Sequence, residues 1–138
     1  MTIEDYEEAF ALWNEIPMMG LRSLDDSYEG ISKFLLRNPD TNFIAQINHR
    51  TVGVILSGHD GRRAFIYHMA VKEGARRKGI GKQLVEVTLK ALKNQGINKV
   101  ALVSFSNNKL GNQFWESMGF SKRDDLVYRN KSINDDNI

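Results

Sequence analysis

An α/β fold built on a mixed sheet is what this 138-residue sequence predicts. Three observations carry the prediction. Asn42–Asn48, Thr51–His59 and Arg63–Val71 are runs rich in branched and aromatic residues, joined by short turns, the pattern of an antiparallel meander. Over Lys78–Asn94 the period changes: Ile80, Leu84, Val87 and Ala91 step at three and four, the stripe of an amphipathic helix. Lys99–Phe105 (KVALVSF) is then a continuous apolar run, expected of a strand covered on both faces. Strand, helix and strand from Arg63 to Phe105 therefore close as a right-handed parallel crossover, with further helices flanking the sheet.

The chain opens on a helix. Thr2 and Asp5 are spaced as a capping box, acids crowd the first turn, and Tyr6, Ala9, Phe10, Trp13 and Ile16 recur at helical spacing. Pro17 and Gly20 end it, and Pro17–Asp26 (PMMGLRSLDD) reads as a loop. A second helix is predicted over Ser27–Arg37, with Ile31, Phe34 and Leu35 on one face. It stops before Pro39, because the residue preceding a proline is pushed out of the helical region. Asp60-Gly61 predicts a type I′ turn between the second and third strands, glycine supplying positive φ at little cost. Gly96 stops the long helix. A short helix is predicted over Lys109–Met118, with Leu110, Phe114 and Met118 in the core, and Phe120–Arg129 reads as one more strand. Residues 1–130 are expected to form one domain, and 131–138 a loose polar tail.

Composition narrows the function. The chain is 41% hydrophobic and 26% charged, ordinary for a globular fold. It has no cysteine, which excludes disulfides, cysteine metal sites and a cysteine acyl intermediate, and no metal site is expected. The first residues, MTIEDYEEAF, lack the layout of a signal peptide, and no apolar run approaches the about 20 residues needed to cross a bilayer. A cytoplasmic protein without a membrane partner is the expectation. A net charge of +2 gives no ground for nucleic-acid binding. The charge is nevertheless uneven: Lys72, Arg76, Arg77, Lys78 and Lys82 against the single acid Glu73 make a local +4.

That cluster contains Arg76–Gly81 (RRKGIG), where a loop turns into the long helix. The first amides of a helix lack internal partners, and the dipole places about half a positive charge there. Gly79 and Gly81 clear the approach, while Arg76, Arg77, Lys78 and Lys82 add charge and donors, so the stretch reads as a phosphate or diphosphate site. A P-loop would need Ser or Thr where Gln83 stands. A dinucleotide fingerprint would need a small residue at Leu84 and an acid near Ser104-Phe105.

Together with NNKLGNQFWESMGF (residues 107–120), the R-x-x-G-x-G loop resembles the GNAT superfamily of acetyl-CoA-dependent N-acetyltransferases, particularly its small stand-alone bacterial members. The order of elements agrees over roughly Asn42–Tyr128. The resemblance implies a sheet whose two parallel strands splay apart. It implies that Met69 and Val71 hold the pantetheine arm through backbone, and that Arg76, Arg77, Lys78, Gly79, Gly81 and Lys82 hold the diphosphate. Asn108, with Asn107 as its rival, would contact the cofactor, and Phe114 and Trp115 would flank the thioester. Acetyl-CoA is then the co-substrate and an amine the acceptor, and a homodimer is left open. The sequence departs from the family twice. Only Met1–Ile3 precede the first helix, so the usual first strand is missing or truncated, and Trp115 stands where many members carry a tyrosine.

Acetyl transfer needs a deprotonated amine, a stabilised oxyanion and a protonated leaving thiolate. Tyr67 and His68, on the strand facing the cofactor, are the candidates for proton transfer, and without cysteine the amine is expected to attack directly in a ternary complex. Strand alternation groups Phe65, Tyr67, Met69 and Val71 on one face and Ile66, His68 and Ala70 on the other, unless a bulge near Met69 intervenes. The loop Pro17–Asp26 is expected to form a wall of the acceptor pocket, with Arg22 able to meet a carboxylate. A non-catalytic CoA-binding or regulatory module is the alternative reading, favoured by Trp115 and by the want of an obvious carboxylate base.

Overall fold

The computed structural model describes residues 1–138. A 3₁₀ turn at Ile3–Asp5 leads into α1 (Tyr6–Glu15), followed by α2 (Tyr28–Arg37), β1 (Phe43–Ile47), β2 (Arg50–His59), β3 (Ala64–Val71), a 3₁₀ turn at Glu73–Ala75, α3 (Ile80–Asn94), β4 (Val100–Leu102) and α4 (Lys109–Ser117). The sheet runs β1-β2-β3-β4. Its first three strands are antiparallel, and β3 and β4 are parallel, as the change of period predicts. No helix is long and apolar enough to cross a membrane.

Alternation along the central strand β2 makes two cores. Val54 and Leu56, with Ala70 of β3, pack on Tyr6, Ala9, Leu12 and Trp13 of α1 and on Ile31 and Leu35 of α2. On the other face Ile55 and Ile66 pack on Leu84 and Val85 of α3, and Phe114, Trp115 and Met118 join them from the α4 segment. α3 crosses β2 closely at Gly53: a Cβ there would stand 3.0 Å from the Leu84 side chain and 3.1 Å from Ile80, so both would have to shift by a few tenths of an ångström. The loop after α2 is tied down by neutral groups. The Ser57 amide donates to Asn42 Oδ1 (2.8 Å), the Thr41 hydroxyl donates to the Ser57 carbonyl (2.7 Å), and the Asn42 amide nitrogen donates to the Asn38 carbonyl (2.6 Å).

Several expectations are corrected. No strand forms over Phe120–Arg129: Leu126, Val127 and Tyr128 are 61%, 74% and 66% exposed, without the partner a strand needs. With nothing beyond it, β4 is three residues long instead of spanning Lys99–Phe105, and Val103 and Phe105 are exposed. Leu110 is 75% exposed, outside the core that Phe114 and Met118 join. The type I′ geometry occurs at Asn48-His49, both at positive φ between the paired Ile47 and Arg50. Asp60–Arg63 forms a longer loop in which Asp60 Oδ1 accepts from the Arg62 and Arg63 amides, which hold its carboxyl below the usual range. The tail's last residues are not loose, since Asn137 Oδ1 accepts from the Leu24 and Asp25 amides (3.0 and 3.1 Å). The departure from the family at the N-terminus is as expected: no strand precedes α1, where the Thr2 amide donates to the Asp5 carboxylate (2.7 Å) and the Met1 amine to the Asn42 carbonyl (2.9 Å).

α1 is also fastened to the first hairpin. Glu8 Oε2 accepts from the Thr51 amide at 2.7 Å, with Arg50 3.8 Å from Oε1. That amide holds the Glu8 carboxyl below its ordinary range, and Arg50 adds to the effect. A depressed folded value stabilises the fold above the ordinary carboxylate range and is lost as pH falls through the folded value. Melting curves against pH should therefore show Glu8→Gln less stable than wild type near neutrality and converging with it in acid. Two curves that stay parallel throughout would contradict this.

Candidate active site

The parallel pair is joined only briefly. β4 pairs with Ala64–Ile66 of β3 and ends at Leu102, so from Tyr67 to Val71 the β4 side of β3 has no strand neighbour. Opposite this opening β3 carries a bulge. Leu56 pairs with His68 and Ser57 with Ile66, leaving Tyr67 as the extra residue. Strict alternation is therefore broken. Ile66 faces α3, whereas His68 lies against Trp13 of α1, with ring centroids 5.3 Å apart. The Tyr67 ring lies between Phe65 (5.0 Å) and Phe34 of α2 (5.5 Å) and is half exposed. Met69 and Val71 pack into the α3 core instead. Thus β3 presents Tyr67 and His68 to one face of the sheet and Met69 and Val71 to the other.

On the Met69 face the glycine loop opens α3. Gly79 is the N-cap, at φ +76°, and no side chain caps the helix. A Cβ built at Gly79 would meet nothing within 4 Å, so the space before the first α3 amides is open. Arg77 also has positive φ (+62°), a strained state for a residue with a side chain. Arg76 donates through Nε to the Val71 carbonyl (3.1 Å), and Lys82 lies 3.7 Å from Glu86. A Cβ on Gly81 would stand 3.0 Å from Met69 Cε and 3.3 Å from the Phe114 ring, so β3, α3 and α4 converge on that glycine. Trp115 contacts Phe114 and Phe120, each ring 5.1 Å away. Asn108 is the N-cap of α4, its Oδ1 accepting from the Gly111 amide (3.1 Å).

On the His68 face the loop Pro17–Asp26 forms the rim. Gly20 lies beside the Phe105 ring, and Arg22 is exposed without an acidic partner. Asp26 is buried, and its Oδ1 lies 2.6 Å from His68 Nε2. Asp26 Oδ2 accepts from the Arg22 amide (2.6 Å), and its carbonyl accepts from the Tyr6 hydroxyl (2.9 Å). Burial raises the Tyr6 phenol, with Glu7, Asp26 and Glu29 adding to the effect. Sequence reading missed Asp26, because an acid before a helix start ordinarily serves the helix and no local signal links it to a strand 42 residues on.

A family model for the acetyltransferase (GNAT) family matches residues 4–120. The chain belongs to that family. This GNAT chain is 27% identical over 133 residues to Acetyltransferase SG1711 of Sodalis glossinidius, covering 96% of this chain and 92% of that protein. Among solved structures it is similar to AAC(6')-Iy in complex with the bisubstrate analogue CoA-S-monomethyl-acetylneamine, with TM-score 0.74, 19% identity and coverage of 96% and 95%. It is also similar to the aminoglycoside acetyltransferase meta-AAC0020 from an uncultured soil metagenomic sample in complex with sisomicin, with TM-score 0.76, 21% identity and coverage of 97% and 93%. The GNAT chain is thus an acyltransferase with acetyl-CoA as co-substrate for N-acetylation.

Proposed function

We propose that the protein transfers acetyl from acetyl-CoA to a primary amine of a small molecule, peptide or protein by direct attack in a ternary complex, within a catalytic domain of residues 1–130. The observation that carries this reading is the division of β3 where β4 leaves it. A helix N-terminus ready for phosphate lies on the Met69 side, and a titratable histidine lies on the other. In this reading Arg76, Arg77, Lys78, Gly79, Gly81 and Lys82 hold the diphosphate, and Met69 and Val71 receive the pantetheine arm. Asn108 contacts the cofactor, and Phe114 and Trp115 flank the thioester. The acceptor enters under Pro17–Asp26, toward Tyr67 and His68. The β3 amides on the side β4 has left serve the developing oxyanion.

The test follows thiol release from acetyl-CoA with sisomicin, spermidine and an alanine-initiated peptide. A chain without cysteine adds no thiol background. Acetyl-CoA bound without thiol release from any of them would sink this reading in favour of a non-catalytic CoA module.

Trp115 provides a further check. An indole N–H donates a hydrogen bond but does not give up its proton, unlike a phenol near about 10. A thiol near about 8.5 leaves acceptably without an acid, so turnover is slowed but retained. Trp115→Ala should weaken acetyl-CoA binding through lost packing more than it slows turnover, and Trp115→Tyr should keep or raise activity. Trp115→Phe should turn over like wild type. A Trp115→Phe enzyme with normal binding but turnover down about a hundredfold would assign the indole N–H to catalysis.

A further inference from the structure

The geometry points to Asp26 as a positioning residue of the transfer, acting through His68. The inference rests on the acetyltransferase reading above but adds a residue and a defined ring state to it. Asp26 is held from three directions: His68 Nε2 at Oδ1 (2.6 Å), the Arg22 amide at Oδ2 (2.6 Å) and the Tyr6 hydroxyl at its carbonyl (2.9 Å). The His68 and Asp26 side chains are 11% and 8% exposed. A buried carboxylate next to an imidazole takes the Nε2–H as its donor, which fixes the neutral ring in one tautomer. The remaining lone pair is on Nδ1, which is buried and has no hydrogen-bond partner.

A simple latch between loop and sheet would not look like this. Elsewhere the chain ties a loop to β2 with neutral, mutually satisfied groups, Thr41, Asn42 and Ser57. Here it buries a carboxylate, costly unless well partnered, and leaves a basic nitrogen unpaired. An imidazole whose other nitrogen is anchored by a carboxylate is arranged to accept a proton. The titratable and charged groups around it are Asp26 directly and the Tyr6 phenol behind Asp26. Trp13 supplies an apolar wall. Nδ1 is sealed from solvent, so the acceptor must displace part of the rim.

The step balances as follows. The acceptor ammonium gives one proton to Nδ1, and the imidazolium is held against the Asp26 carboxylate. The freed nitrogen lone pair forms the N–C bond to the thioester carbon. The C–S bond breaks with its electron pair going to CoA sulfur. The attacking nitrogen loses a second proton, which ends on the thiolate, and His68 returns its own to water.

The experiment uses wild type, Asp26→Asn, His68→Gln and the double variant in the three-amine thiol assay, with acetyl-CoA affinity and melting temperature measured on each. Asp26→Asn should lower kcat at least about tenfold with acetyl-CoA Kd unchanged, and the double variant should be no slower than His68→Gln. His68→Gln should recover as pH approaches the acceptor amine's own value, about 7.7–8.0 for the α-amine of the alanine peptide and about 10.4 for a lysine-like alkylamine, because the amine then loses its proton unaided. Nitrogen NMR of wild type should show His68 as the Nε2–H tautomer. A ring protonated on Nδ1 overturns the assignment without any variant, which covers the case of Asp26→Asn failing to fold. So do an unaffected Asp26→Asn, an additive double variant, or a loss explained by weaker acetyl-CoA binding. An active wild type with an unaffected Asp26→Asn overturns this assignment alone; a wild type that releases no thiol overturns the acetyltransferase reading with it.

Discussion

Gly79→Val should reduce acetyl-CoA affinity by about a hundredfold or more while leaving the chain folded. Gly79 sits at φ +76°, a region a β-branched residue enters only with strain of about 1–3 kcal/mol. A Cβ there touches nothing of the protein within 4 Å, so the harm falls on whatever must approach the first amides of α3. Losing one or two charge-assisted hydrogen bonds, about 1.5–3 kcal/mol each, corresponds to roughly tenfold to twenty-thousandfold in Kd. Gly81 differs in mechanism. Its added Cβ meets the flexible end of Met69 at 3.0 Å and the Phe114 ring at 3.3 Å, so Gly81→Ala should be tolerated with a modest loss, and Gly81→Val should displace Phe114. Titration calorimetry with acetyl-CoA reads both. If Gly79→Val and Gly81→Val each bind like wild type, the diphosphate is not held here.

Trp13→Ala should cost about 3–5 kcal/mol, the largest stability loss of any single truncation in the chain. Trp13 is 0% exposed and joins α1 to β2, β3 and α2 in the larger core. Small domains are stable by about 5–15 kcal/mol, so the variant should melt about 10–20 °C lower or fail to fold. Its indole nitrogen has no hydrogen-bond partner, so the loss is packing, and Trp13→Phe should cost far less. The ring also walls His68, so Trp13→Phe should disturb turnover more than acetyl-CoA binding. Thermal denaturation followed by circular dichroism decides; a Trp13→Ala midpoint within about 3 °C of wild type would show that the α1 core is not what holds this domain together.

Much of this architecture was written locally. Helical spacing marks α1, α2, α3 and α4. Ser27 caps α2 through its hydroxyl on the Gly30 amide, and the three-strand meander follows from runs of branched residues. These depend on a residue and its near neighbours, whose periodicity a sequence displays directly. Gly79 and Gly81 were legible for the same reason, since a glycine at a helix start has a local conformational meaning whatever surrounds it.

The sequence by itself determined the order and kind of most elements, the basic loop at the start of α3 and the family these motifs resemble. Tertiary structure alone decided the rest. Phe120–Arg129 reads as a strand but stays irregular, because a strand exists only when another backbone takes its hydrogen bonds. Leu110 matches the apolar stripe of α4 yet faces solvent, because a stripe buries only where something covers it. The bulge at Tyr67 turned His68 toward α1, and a one-residue slip in pairing leaves no mark in composition. The pairing of Asp26 with His68 is the extreme case. Two residues 42 apart meet only after α1, α2 and β3 have packed, and the energy that joins a carboxylate to an imidazole at 2.6 Å depends on that packing removing water from both.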